Sequence, residues 1–291
     1  MSSTTSTGAT EGWTKLFKSK DAANNYKLAE QLTGLFAGPL IDQSGIVSEK
    51  APIVLDNACG TGIISSTLNG RLNEQARQNC KLTCGDFSEA MLEYTRQRAV
   101  DEGWPNTEVK VIDAQDTHLP SDYYTHVFAA FAFPSLPDYQ AALKECYRVL
   151  QPGGTLASTT WAGGLWLFVL ESTIKSLSSD LPFPSAEEYH EIFNKGWNLE
   201  HIVQSRFEDA GFTDVKANVV TAQVSVPVAQ LVQLNKSALP VILGKIWTEE
   251  QRKEYEGRIP EAMRVLLEAR YGVEGAVPLE PAAVVAIGRK L

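Results

Sequence analysis

Residues 54–63 read VLDNACGTGI. An apolar run meets Asp56, the side chains then shrink, Gly60 and Gly62 follow, and apolar residues resume at Ile63. The pattern describes a short strand, a tight loop and a helix start. Glycine lets a main chain approach another group closely. The free amides and the dipole at a helix start favour a carboxylate or phosphate. For a bare G-x-G two readings are open: a βα turn with nothing bound, or a loop that runs beneath a ligand.

Outward from this stretch, strand and helix patterns alternate. Strands are expected over 53–56, 81–85, 108–112, 125–131 and 155–161. Helices are expected over 63–72, over 89–103 with Ser88 as N-cap and Gly103 as the stop, and over 139–150 before Pro152-Gly153-Gly154. Strands separated by helices of this length predict a parallel sheet with right-handed crossovers, whose ligands sit beyond the carboxyl ends of the strands. After Trp161 the pattern changes: aromatic residues punctuate helical stretches to about residue 200. A helix over 199–210, a long strand over 212–226, helices over 228–245 and 249–271 and a β-rich end over 277–291 follow. The expected fold is α/β and Rossmann-like: a seven-stranded, mostly parallel sheet with helices on both faces and a helical cap. Its expected parts are a disordered tail (1–12), an N-terminal helical lid (13–50), a ligand-binding core (51–161), a cap (162–200), and completion of the sheet over 199–291 with a helical insertion at about 228–271.

Composition excludes several classes. Lys and Arg total 26 against 35 Asp and Glu, so a net charge of −9 repels a phosphate backbone and argues against nucleic acid. No apolar run approaches the roughly 20 residues of a membrane span, and the polar start resembles no signal peptide. Four cysteines without a CxxC pair suggest reduced thiols in a cytoplasmic protein. Four scattered histidines offer no metal-binding spacing, so no metal is expected.

Two further acids sharpen the opening question. Asp86 ends the second strand, where one carboxylate can accept both hydroxyls of a ribose; the alternative is a role in the cap of the next helix, which Ser88 already fills. Phe87 and Met91 follow, suited to an adenine ring. Asp113 ends the third strand and could accept from an adenine amino group, with Ala114 leaving room; the alternative is a solvated turn residue. The set fits an adenosine with a short charged tail. It does not fit a pyrophosphate, because the third position of a dinucleotide loop is Ser65 and no P-loop is present.

The stretches VLDNACGTG, CGDFSEAML, DAQDTHLP and LPDYQAALKECYRVLQPGGTLASTTWA resemble the successive motifs of class I S-adenosylmethionine-dependent methyltransferases. The resemblance is strong over residues 50–161 and weaker over 199–291, and it points to the small-molecule, ubiquinone-methylase-like group. NNYKLAEQLTGLFAGPLIDQSG, LDNACGTG and YTHVFAAFAF are similar to the fungal natural-product branch, which includes enzymes that methylate thiols or amides of dithiodiketopiperazines. The resemblance implies S-adenosylmethionine as cofactor, with Gly60 and Gly62 against its methionine part, Asp86 on the ribose, and Asp113 with Ala114 on the adenine. The expected cofactor set is Asp56, Ala58, Gly60, Gly62, Asp86, Phe87, Met91, Asp113, Ala114 and Gln115. His126 stands where the family has an Asp opening the fourth strand, at the end away from the cofactor, so its role is expected to be structural. Cys59 is expected to be a small packing residue.

A protein base is needed only for a poorly ionised acceptor; the candidates are Tyr26 and His118, against readings as a packing tyrosine and an exposed turn histidine. Tyr26, Phe131, Phe133, Trp161 and Trp166 are expected to wall a flat, apolar acceptor pocket. The expected reaction is S- or N-methylation of a small natural product in secondary metabolism. The alternatives are O-methylation of a phenol or acid, a cofactor-binding protein that templates a rearrangement, a nicotinamide oxidoreductase and a partner-binding module. Monomer and homodimer are both open.

Overall fold

The computed structural model describes residues 12–19, 22–163 and 167–291. Residues 12–17 form helix α1. It is followed by α2 (Ala22–Thr33), α3 (Ala37–Ser44), β1 (Ile53–Asn57), α4 (Ile63–Arg71), α5 (Glu74–Asn79), β2 (Lys81–Asp86), α6 (Glu89–Asp101), β3 (Thr107–Val111), β4 (Tyr124–Ala130), α7 (Tyr139–Val149) and β5 (Leu150–Trp161). Beyond the fifth strand come α8 (Leu167–Leu177), α9 (Ala186–Phe193), α10 (Glu200–Asp209), β6 (Thr213–Thr221), β7 (Val224–Pro227), α11 (Val228–Ile246), α12 (Glu249–Tyr255), α13 (Ile259–Tyr271), β8 (Ala276–Leu279) and β9 (Ala282–Arg289).

Among the described residues, seven strands form one sheet in the order β3-β2-β1-β4-β5-β9-β6. β1 to β5 pair in parallel, and β9 runs antiparallel between β5 and β6. Strand order reverses between β1 and β4, which places the switch point at the carboxyl end of β1, beside the loop at 58–62. Successive side chains of the inner strands enter opposite cores, as a strand's two-residue period requires. Val54, Phe128, Ala157 and Val285 join the α3–α4–α6 side. Leu55, Val127, Leu156 and Val284 join the α7–α10 side. Burial on both faces explains why the strands read as continuous apolar runs.

The second half departs from the sequence expectation in three places. The long strand over 212–226 is two strands, because β7 leaves the sheet and pairs with β8 in a separate antiparallel ribbon. The helix over 249–271 is α12 and α13 with a tight turn at Glu256–Arg258, just before Pro260, whose ring suits the first turn of a new helix. The fifth strand starts at Leu150, not residue 155, and absorbs Pro152-Gly153-Gly154 as a register shift against β4. α11, α13, α8 and α9 pack with the β7–β8 ribbon into a third apolar cluster. The tail at 1–11 lies outside the described residues. No described helix is long and apolar enough to cross a membrane.

Trp197 locks the segment after α9 to the sheet. Its ring is fully buried, stacks on Phe133 at 5.0 Å and meets Tyr139 edge-on at 5.3 Å. The Arg206 guanidinium covers it at 4.7 Å, and its carbonyl accepts the Thr160 hydroxyl at 2.6 Å. Trp197→Ala is expected to lower stability by about 3–5 kcal/mol, read as a fall in the denaturant midpoint with an unchanged slope.

Candidate active site

Three alternate positions after β1 adopt positive φ: Ala58 at 60°, Gly60 at 53° and Gly62 at 78°. The resulting coil is fastened to the second strand and the helix after it. The Cys59 N–H donates to the Gly85 carbonyl at 2.9 Å, the Gly60 N–H donates to Asp86 Oδ2 at 2.9 Å, and the Thr95 hydroxyl donates to the Gly60 carbonyl at 2.8 Å. The two glycines answer to different neighbours. A Cβ on Gly60 would point towards the Tyr26 ring, 3.5 Å away, whereas a Cβ on Gly62 would crowd Thr95 and Trp104 at 3.1 Å each.

A cavity of about 290 Å³ opens above this loop at the tips of β1, β2 and β3. Ala58, Gly60, Asp86, Phe87, Met91, Asp113, Ala114 and Gln115 line it, with Ile112 and Leu136. Asp86 is buried and accepts two backbone N–H groups, from Gly60 and Ser88, each at 2.9 Å. Burial nevertheless raises its carboxyl above the ordinary range, with no basic side chain opposing the shift. A carboxylate has about four acceptor sites, so Asp86 keeps acceptor capacity beyond its backbone donors. Asp113 accepts the Gln115 N–H at 2.9 Å and its side-chain amide at 3.0 Å, while Gln115 Oε1 accepts the Asp138 N–H at 2.7 Å.

A second cavity of about 240 Å³ adjoins the first. Phe17, Tyr26, Phe131 and Ser135 line both. Its other walls are apolar for the most part, among them Trp13, Leu32, Trp161, Tyr189, Phe193 and Leu234. Phe131 sits in the left-handed region at φ 55° and packs on Trp161 at 4.3 Å. The covering helices are tied to the same loop and strand tip. Glu30 of α2 pairs with Arg98 at 2.9 Å and accepts the Thr61 hydroxyl, and the Ser88 hydroxyl donates to the Phe17 carbonyl at 2.6 Å. Burial pushes the Tyr26 phenol up to about 12, so it stays protonated at neutral pH.

Not every residue singled out from the sequence reaches a cavity. Asp56 lies beneath the loop, where the Ser65 hydroxyl donates to it at 2.6 Å, and lines neither space. Gly62 faces α6 instead of the ligand space. Phe133 is buried against Trp197 and Phe207. His118 has 84% of its side-chain surface exposed beside Asp116 and lines neither cavity. Trp166 lies outside the described residues. Sequence reasoning missed His190 and Asn194 of the second cavity. The signal was present in AEEYHEIFN: Tyr189, His190, Phe193 and Asn194 recur at helical spacing and share one face.

Comparison with known proteins gives the family. The family model described as "Methyltransferase domain" matches residues 54–154. Methyltransferase tpcH of Aspergillus fumigatus is 47% identical over 278 residues, which span 95% of this chain and 99% of that one. Acetylaranotin bis-thiomethyltransferase of Aspergillus terreus is 44% identical over 94% of this chain and 96% of its own. Phosphoethanolamine N-methyltransferase 2 of Haemonchus contortus, solved with phosphomonomethylethanolamine and S-adenosylhomocysteine, shares the fold at TM-score 0.55 and 13% identity, over 94% of this chain and 58% of that one. The chain belongs to the methyltransferase family and is an S-adenosylmethionine-dependent methyltransferase.

Two expectations follow from the loop. Relief of the left-handed strain at Ala58, ~1–2 kcal/mol, exceeds the extra chain entropy of glycine. Ala58→Gly is therefore expected to raise stability by about 0.5–1 kcal/mol, seen as a higher melting temperature. Asp56 is buried, and burial lifts its carboxyl to about 6. The folded state then holds that proton more tightly than the unfolded chain does. This contribution to stability is complete below the ordinary carboxyl value of about 4 and is lost as pH rises through about 6. Asp56→Asn is expected to stabilise the protein by about 2 kcal/mol at pH 7.5 and much less at pH 4. Denaturant titrations at the two pH values check this, and an equal gain at both would contradict it.

Proposed function

We propose that this chain transfers a methyl group to a thiol sulfur of a small, largely apolar natural product of the dithiodiketopiperazine kind. The observation that carries the reading is the apolar second cavity, which shares a wall with the cavity at the strand tips. The similarity to acetylaranotin bis-thiomethyltransferase over nearly the whole length supports it.

The first cavity suits S-adenosylmethionine. Asp86 would accept the ribose hydroxyls with its remaining acceptor capacity, Asp113 and Ala114 would receive the adenine, Phe87 and Met91 would flank it, and Gly60 would leave room for the methionine part. When bound, the cofactor supplies an electrophilic methyl on a sulfonium. The chain itself excludes water with the apolar walls from α1, α2 and α9 and fixes the acceptor's orientation. The acceptor class follows from what the walls lack. Among the described residues, no Asp, Glu, Lys or Arg side chain lines the second cavity, and Tyr26 is held as a neutral phenol. A thiol of pKa ~8.5 is partly ionised near neutrality without help, whereas a phenol of ~10 is not. Four buried, free cysteines suit a reducing, cytoplasmic setting, and the net charge of −9 argues against a nucleic-acid partner.

Incubation with deuteromethyl-labelled cofactor and a reduced diketopiperazine dithiol is expected to give products heavier by one and two labelled methyls, placed on sulfur by fragmentation. Label on oxygen or nitrogen alone would overturn the reading. Asp86→Ala is expected to weaken cofactor binding by about 1–3 kcal/mol, the loss of a charged acceptor. Calorimetry that shows unchanged affinity would remove Asp86 from the site.

A further inference from the structure

The second cavity contains one imidazole whose hydrogen-bonding role the structure settles. α9 opens with a capping box in which Ser185 Oγ accepts the Glu188 N–H and Glu188 returns the bond to the Ser185 N–H. It ends by placing His190 and Asn194 one turn apart on the cavity wall. Asn194 Nδ2 lies 3.2 Å from the Trp161 carbonyl oxygen and 3.0 Å from His190 Nδ1. A carbonyl oxygen can only accept, so the atom beside it must be the amide nitrogen, which has two hydrogens to give. One goes to Trp161 and the other to His190, and Nδ1 is therefore an acceptor. In a neutral imidazole the proton then sits on Nε2. Burial lowers the imidazole's affinity for a second proton, which keeps the ring neutral.

We propose that His190 presents its Nε2–H to the acceptor cavity as a hydrogen-bond donor and binds a carbonyl oxygen of the acceptor. The proposal rests on the reading of this cavity as the acceptor's. His190 is not on the wall common to the two cavities, so it grips the acceptor away from the reacting sulfur. A neutral imidazole donor, with no Lys or Arg among the described lining residues, suits an amide carbonyl and not a carboxylate. The acceptor this selects is a thiol attached to a ring that carries amide carbonyls. A thiol on a plain hydrocarbon ring finds no partner there.

Two measurements test this. Nitrogen-15 spectra of histidine-labelled protein, with the His190 signals assigned by their loss in His190→Gln, are expected to show the Nε2–H tautomer. An Nδ1–H tautomer overturns the proposal. Calorimetry in the presence of S-adenosylhomocysteine then compares 3,6-bis(methylsulfanyl)-2,5-diketopiperazine with 1,4-bis(methylsulfanyl)cyclohexane, which lacks the carbonyls. His190→Leu is expected to weaken binding of the first about tenfold and leave the second unchanged, while His190→Gln, which keeps an N–H donor, stays within about threefold of the parent. Equal losses for both ligands, or equal losses in both variants, overturn the donor role. Turnover of a dithiol with binding indifferent to His190 sinks this inference alone. An unaltered protein that binds and methylates neither diketopiperazine nor hydrocarbon dithiol sinks the proposed function and, with it, this inference.

Discussion

One hydrogen bond organises the ligand end of this protein: the Gly60 N–H donates to a carboxylate oxygen of Asp86. It joins the tips of β1 and β2 and, with the Cys59 N–H on the Gly85 carbonyl, holds the 58–62 coil in place. The coil must take positive φ at alternate residues to reach across, and only small side chains tolerate that path. The acid is thus committed twice. It fixes the backbone beneath the strand-tip cavity and, on the function proposed above, keeps acceptor capacity for the cofactor's ribose. Its burial carries a desolvation cost that the backbone donors only partly offset.

The division between the two cavities follows from the same anchoring. α1 and α2 cover the strand tips because Ser88 holds the Phe17 carbonyl and Arg98 holds Glu30. Both tethers run to α6 or its cap, the helix that Asp86 leads into. Tyr26 and Phe131 then stand where the spaces meet. Charge is segregated across that boundary: Asp86 and Asp113 lie on one side, and among the described residues no carboxylate or ammonium lines the other. On the function proposed above, a sulfonium and an apolar acceptor need opposite environments a bond length apart, and the aromatic side chains Tyr26 and Phe131 would supply the transition.

The strands and the acids at their tips were legible in the sequence because both obey local rules. Inner strands buried on two faces read as apolar runs, and a small-residue loop after such a run has few other uses. What escaped was set by three-dimensional neighbours. Gly62 is small for Thr95 and Trp104, not for a ligand, and no local pattern distinguishes it from Gly60. Phe133 turns into the core because Trp197, far along the chain, stacks on it. β7 leaves the sheet because β8 pairs with it, while the 212–226 run looks continuous in sequence. His190 was passed over because its significance depends on the Trp161 carbonyl, which only the fold brings to Asn194.

The β7–β8 ribbon carries a consequence for how such an enzyme diversifies. Its register pairs Pro227 with Ala276, so the chain departs for α11 and returns from α13 at neighbouring points. Leu234, Ser237 and Ala238 on this excursion form part of the second cavity's wall. Lengthening or shortening it repacks the apolar cluster that α11 and α13 share with α8 and α9, and leaves the main sheet's pairing alone. On the function proposed above, exchanging this excursion as a cassette would alter which acceptor fits, while the strand-tip floor is inherited intact.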